Sequence, residues 1–296
     1  MLTELKPPLQ IVSPTLESGG PPILSSTNEP LTLRRLLTHT SGFGYEYAAG
    51  TLEQWRQILP ETSPYHASKI PRNRNITLDY LYPLLFEPGA PGKWEYGAGV
   101  DWAGQVVERV NPELLSLGPY MEKYIWTPLG MTDTTFRPLQ DTKFSDRLIQ
   151  RVERLDDGTL GLDPMIRFPH QSPADESGGG GLYSTSKDYI KVLESLLLDD
   201  GKILSNKMVE ELFRPQLPDS RELQDKLAST NDAELLTMET ELNGPQSIGW
   251  NYGLGGLVAM DDIPAKCKAG TMTWSGLPCC FWVSRTVSND LTTREV

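Results

Sequence analysis

Apolar positions recur at helical spacing along the first two thirds of the chain and alternate with small and polar residues near its end. Leu33, Leu36 and Leu37 share one face of a short helix behind Thr32, a suitable N-cap, and Thr40-Ser41-Gly42 ends it. Thr51, with Gln54 completing a capping box, opens a second helix that runs to Leu59. The stretch from Thr77 to Phe86 is helical until Pro83, and Glu87-Pro88-Gly89-Ala90-Pro91-Gly92 then forces a tight loop. Val100, Ala103, Val107 and Val110 mark an amphipathic helix stopped by Asn111-Pro112, and another runs from about Ser116 to Trp126. Further on, Ser186–Leu198 is a clear helix, and one more begins near Ser205 with Val209, Leu212 and Phe213 on one side.

The remaining segments read differently. Residues 144–170 are mixed and polar, with a hairpin expected around Asp156-Asp157-Gly158. Residues 219–241 are highly charged and weakly periodic, as in a solvated helix or excursion. Trp250–Met260 and Gly270–Val283 read as strands. Residues 1–31 hold Pro7, Pro8, Pro14, Pro21, Pro22 and Pro30 with Gly19 and Gly20, the composition of an extended connector. Helices followed by strands suggest an α+β protein with a helical insertion domain over a sheet. The expected division is a linker-like segment 1–31, a domain over 32–283 and a tail over 284–296. Within that domain, helices occupy roughly 32–240 and strands mainly 248–283.

Composition narrows the function. The 296 residues contain 38% apolar and 22% charged side chains, an ordinary globular mixture. Basic residues number 27 against 39 acidic ones, a net charge of −12, which argues against nucleic acid and anionic lipid as partners. The longest apolar stretches, around Val192–Leu198 and Leu254–Met260, are core-sized and too short to span a bilayer. The N-terminal residues lack the charged and apolar regions of a signal peptide. Three cysteines, two of them adjacent at 279 and 280, form no disulfide framework, so a reducing, cytoplasmic location is expected. His39, His66 and His170 have no metal-site spacing, and neither a metal nor a cofactor is expected.

Nucleophilic chemistry has few anchors here. No Gly-x-Ser-x-Gly elbow is present. The Gly178–Gly181 run lacks both the following Lys of a phosphate loop and the Rossmann spacing, and reads as a flexible loop leading into a helix. One literal Ser-x-x-Lys exists, Ser184-Thr185-Ser186-Lys187, but it lies where the Ser186 helix needs its cap and Asp188 adjoins it. Capping is the simpler role.

Five ordered segments nevertheless resemble one family. Leu33-Arg-Arg-Leu-Leu-Thr-His-Thr-Ser-Gly42 is similar to the Leu-Leu-x-His-x-Ser-Gly signature of β-lactamase-related serine hydrolases. Trp94-Glu-Tyr-Gly-Ala-Gly-Val-Asp-Trp102 resembles that family's tyrosine motif. Ile125-Trp-Thr-Pro-Leu-Gly-Met131, Gly179-Gly-Gly-Leu-Tyr-Ser-Thr185 and Thr271-Met-Thr-Trp-Ser-Gly276 match three more recurring segments, so the likeness covers about residues 30–283. It is nearest to class C β-lactamase-like esterases and the fungal acyltransferases of polyketide pathways. The tyrosine motif lacks the β-lactamase Asn, with Ala98 after Tyr96-Gly97, and Trp274 replaces the Lys of the last motif, which favours ester chemistry over β-lactam hydrolysis.

The resemblance implies a β-lactamase/transpeptidase-like fold, an antiparallel sheet flanked by helices, and an acyl-serine mechanism in secondary-metabolite biosynthesis. A small-molecule acyl donor and an alcohol acceptor would be its partners. Tyr96 would be the catalytic tyrosine. Trp274 and Gly276 would line the acyl pocket on an edge strand, and the Leu277 N–H would be an oxyanion donor. His39 would be a buried structural partner, and Asp101 and Trp102 would pack the next helix. The family nucleophile lies on a Ser-x-x-Lys helix several tens of residues before the His motif, and residues 1–32 contain no Ser-x-x-Lys. The expectation is therefore a chain truncated at both ends with an incomplete sheet: an acyltransferase or esterase by family, or alternatively an inactive remnant that binds a ligand or partner.

Overall fold

The computed structural model describes residues 2–14, 20–45, 49–68, 75–149, 152–155, 157–162, 173–229, 249–262, 267–276 and 280–284. The proline-rich start is extended, but it is more than a connector. β1 (Leu9–Ser13) and β2 (Ile23–Thr27) pair antiparallel, and Leu5, Leu9, Ile11 and Val12 are buried in the largest apolar cluster. Alternation within β1 turns Ile11 inward, and Val12 is also covered because its strand meets Leu84: the Val12 N–H donates to the Leu84 carbonyl at 2.7 Å, and the Leu84 N–H to Gln10 at 2.8 Å.

α1 (Leu33–Leu37) begins at Thr32, whose hydroxyl accepts the Arg35 N–H, so this cap is as expected. α2 (Gly50–Ile58) starts one residue before Thr51, behind Ala49, so the Thr51 capping box does not form and the helix is held instead by burial of Leu52 and Trp55. The predicted helix over Thr77–Phe86 shrinks to α3 (Ile76–Asp79), capped by Asn75. Tyr82 and Leu84 go to the core in extended backbone that bridges to β1. Pro83 disfavours an α conformation at Tyr82, so the helix does not resume after its cap at Tyr80.

α4 (Gly99–Val110) is the central helix and lies against α1, with Trp102 fully buried. α5 (Leu117–Met121) continues through a π-helical turn at Glu122–Trp126 into α6 (Thr127–Leu129), which closes on left-handed Gly130. After α7 (Thr142–Ser145), β3 (Val152–Arg154) and β4 (Leu160–Leu162) make the expected hairpin. α8 (Ser186–Leu198) follows with Thr185 as its cap, its hydroxyl accepting from the Asp188 N–H, and then α9 (Asn206–Phe213).

Of the solvated helix or excursion expected over residues 219–241, the described part forms α10 (Arg221–Ser229), which is a helix but not a solvated one. Leu223 and Leu227 are buried with Trp94, Trp250, Tyr252 and Leu257. Asp225, between them, is exposed on the outside of the helix. The final strands β5 (Trp250–Tyr252), β6 (Leu257–Ala259), β7 (Met272–Gly276) and β8 (Cys280–Ser284) form an antiparallel sheet in that order. The positions from 230 to 248 and from 285 to 296, including nearly all of the expected tail, lie outside the described residues.

Candidate functional site

The site grows from the turn between α1 and α2 and the loop leading into α4. His39 follows α1 with a φ of 56°, a left-handed conformation that bends the chain back on itself. Its carbonyl then accepts the Glu95 N–H at 3.0 Å, and its Nδ1 accepts the Gly97 N–H at 3.3 Å. Two hydrogen bonds therefore grip the residues on either side of Tyr96. Gly97 is required there by space: a Cβ would lie 2.3 Å from the Phe43 carbonyl and 2.5 Å from the Gly44 Cα. Burial drives the His39 pKa down to about 3, so the imidazole is neutral and serves as an acceptor rather than a base.

Tyr96 is half-buried within a shell of rings. The His39 ring lies 5.0 Å away, Tyr45 5.2 Å away in edge contact, and Trp274 5.2 Å away. Trp274 stacks over His39 and meets the edge of Tyr252 at 5.5 Å. The Tyr252 phenol is buried, and desolvation, with a contribution from nearby Tyr96, raises its pKa well above the usual value. The structure thus brings His39, Tyr96 and Trp274 together from motifs that span 235 positions of the chain. It adds Tyr45 and Tyr252, which no sequence motif marked.

Asp101 stands behind this shell in the first turn of α4, with its carboxylate buried. It accepts the Tyr45 hydroxyl at 2.6 Å and the Ser177 hydroxyl, so it steadies the ring that abuts Tyr96. The glycine run is built for the same carboxylate: a Cβ on Gly179 would lie 2.5 Å from Asp101 Oδ2. It is a close-packed approach to α4, in contrast to the flexible loop expected.

β7 carries Trp274 and Gly276, and it lies between β6 and β8 rather than at the sheet edge. Pairing with β6 covers Met272 and Thr273, whereas pairing with β8 continues to Gly276 opposite Cys280. The β6 strand is only three residues long, which leaves the Trp274–Gly276 end of β7 projecting beyond it. Open space surrounds the Gly276 Cα hydrogen. Leu277 lies outside the described residues. The Ser184-x-x-Lys187 match does not form a nucleophile pair: Ser184 is exposed and shares its hydroxyl with Thr134 at 2.8 Å, and Lys187 is exposed on α8.

Residues 20–284 match the family described as Beta-lactamase. The chain belongs to the β-lactamase family. Its fold is the β-lactamase/transpeptidase-like arrangement of helices and antiparallel sheet. The lovastatin esterase of Penicillium rubens is 33% identical over 251 residues, covering 83% of this chain and 59% of that protein. The monacolin J acid methylbutanoyltransferase of Aspergillus terreus is 32% identical over 272 residues, covering 90% of this chain and 62% of the enzyme. A structure of a simvastatin synthase variant from Aspergillus terreus superimposes with a TM-score of 0.77 at 30% identity, covering 96% of this chain and 65% of that one. The chain thus spans about three fifths of the length of the relatives it matches. Among the described residues, no helix is long and apolar enough to cross a membrane, and no group of three or more His, Cys, Asp or Glu could hold a metal ion.

Proposed function

We propose that this protein is a serine acyltransferase of secondary-metabolite biosynthesis, with ester hydrolysis as the accompanying reaction when water replaces the acceptor alcohol. The observation that carries this reading is the seat of Tyr96, a half-buried phenol whose neighbours on both sides are gripped by His39 and whose ring meets that of Trp274. The named activities of the fungal relatives, an esterase and a methylbutanoyltransferase, support the choice of ester chemistry.

In this reading a serine hydroxyl attacks the donor's ester or thioester carbonyl while its proton passes to the Tyr96 oxygen. The carbonyl oxyanion is held by backbone N–H groups, one of them that of Leu277, and the tetrahedral adduct collapses to an acyl-serine. Tyr96 returns the proton to the departing alcohol or thiol. The acceptor alcohol then enters, gives its proton to Tyr96 and attacks the acyl carbonyl; the bond to the serine oxygen breaks, Tyr96 returns the proton to that oxygen, and the new ester leaves. Trp274 and Gly276 line the acyl side. Asp101, through Tyr45, and His39 keep the phenol in place. By resemblance, the serine is that of a Ser-x-x-Lys helix ahead of Leu33 in the family's order.

Labelling the full product of the gene with a fluorophosphonate, followed by peptide mapping, tests the proposal. Modification of a serine in such a helix, blocked by an acyl donor, is the expected result. Modification of Ser184 would overturn the assignment of the nucleophile. Stabilisation by acyl esters without any labelling would favour a binding protein that does not turn over. In the labelled protein, Tyr96→Phe should lower ester turnover by about 100-fold or more, the scale of lost acid–base catalysis. An unchanged rate would remove Tyr96 from the mechanism.

A further inference from the structure

The residue immediately before Tyr96 is a buried carboxylate. The Glu95 side chain is 11% exposed and meets the Lys226 ammonium at 2.5 Å, across 131 positions of sequence. Lys226 belongs to α10, four of whose nine residues are charged. A second ion pair, Lys93 to Glu222 at 3.3 Å, joins the same helix to the same segment. Between the two pairs, Leu223 and Leu227 cover Trp94, and Gln224 donates to the Trp250 carbonyl at 2.6 Å. α10 is therefore fastened along residues 93–95 by charge at both ends and apolar contact in the middle.

The charged groups around Glu95 explain the balance. Burial pushes the Glu95 pKa up, Lys226 opposes that by hydrogen bond and charge, and Glu222 adds a small repulsion. Lys93 faces Glu222 rather than Glu95. Without Lys226, an ionised Glu95 would be a buried charge facing Glu222, and its escape is rotation toward solvent. Glu95 and Tyr96 share a peptide bond, so where the backbone shifts to let the carboxylate out, the phenol moves with it. His39 would then hold the segment from one side alone.

We propose that Lys226 is a positioning residue for Tyr96: its pair with Glu95 fixes the segment that presents the phenol, making α10 part of the active site without touching substrate. This rests on the reading of Tyr96 as the proton-transfer group. A misplacement of about 1 Å in such a group costs up to about 100-fold in rate.

The test uses the full gene product with p-nitrophenyl butyrate as substrate. Lys226→Met should lower kcat about tenfold while KM changes by less than about twofold, since substrate contacts are intact. Lys226→Arg should restore kcat to within about threefold, and adding Glu95→Gln to Lys226→Met should recover part of the loss, because the buried charge is gone. An unchanged kcat in folded Lys226→Met, or a loss that neither Arg nor Glu95→Gln relieves, would overturn the proposal in favour of simple packing. Should Lys226→Met not fold, Glu95→Asp keeps both charges and shortens the reach. It should lower kcat with KM held, and full activity would overturn the proposal.

Failure of the underlying reading looks different. If Tyr96→Phe turns over the ester as well as the parent protein, the Tyr96 assignment fails. The ion pair itself is then read from urea unfolding. Lys226→Met should lose stability relative to the parent as pH rises from 4.5 to 8, because a carboxylate with a raised folded pKa stabilises only while protonated. Glu95→Gln should abolish that difference.

Discussion

His39 shows how much one buried side chain can decide. Its left-handed backbone turns the chain, its carbonyl and Nδ1 hold residues 95 and 97, and its ring meets Tyr96, Trp94, Tyr252 and Trp274. Burial holds its pKa at about 3 in the folded state against 6.5 for a free imidazole. The unfolded chain binds a proton between those values and the native protein does not, so His39's contribution to stability is present above pH 6.5 and lost as pH falls toward 3. Between pH 7 and pH 5 this predicts a loss of about 2 kcal/mol from this residue alone. Urea unfolding at the two pH values measures it. His39→Asn, which tolerates positive φ, should remove that part of the pH dependence. An equal pH dependence in parent and variant would mean that the imidazole ionises freely inside the fold. The motifs around His39, Tyr96 and Trp274 singled out three residues that the fold brings into contact. Tyr45 and Tyr252 were not legible, because they reach the site through ring contacts and through Asp101, 56 residues from Tyr45, and no local spacing encodes such contacts.

At the scale of elements, helices with full apolar stripes could be read from spacing, and α4, α8 and α9 stand where their periodicity placed them. α10 escaped that reading for a physical reason. Leu223 and Leu227 are fully covered, one turn apart, while the surrounding Arg, Glu, Gln, Asp and Lys dilute any periodic signal. Those two leucines nevertheless close the cluster beneath Trp94 and the sheet. Leu223→Ala should cost about 2–5 kcal/mol in urea unfolding, the range for a fully buried leucine. A cost below about 0.5 kcal/mol, typical of a surface position, would restore the solvated reading. The β1–β2 hairpin was hidden in a different way. Its prolines all fall outside the two strands, at 7, 8, 14, 21, 22 and 30, so the composition that suggested a connector marks the strand ends.

Over the whole molecule, Tyr96 lies at a seam. It packs both against the cluster formed by the hairpin, α1, α2 and α4 and against the cluster formed by α10 and the sheet, where Trp274 also lies. A seam between two packed bodies is where a cleft for a small molecule naturally opens. The Tyr96 seam sits in a strongly negative molecule, with 39 acidic against 27 basic residues and a net charge of −12. That field repels anions approaching Tyr96 and leaves neutral esters unaffected, and salt screens it, with a Debye length of about 30 Å at 0.01 M and about 8 Å at 0.15 M. An ester donor carrying a carboxylate should therefore gain severalfold in kcat/KM as salt rises from 10 to 150 mM, while its uncharged methyl ester counterpart stays constant. The comparison must be made on kcat/KM, because the field acts on the encounter and not on the bound acyl group. If the anionic donor instead lost kcat/KM with added salt, a local cationic patch near Tyr96 would outweigh the global charge. Donors would then be selected by their acid group rather than by the apolar fit against Trp274.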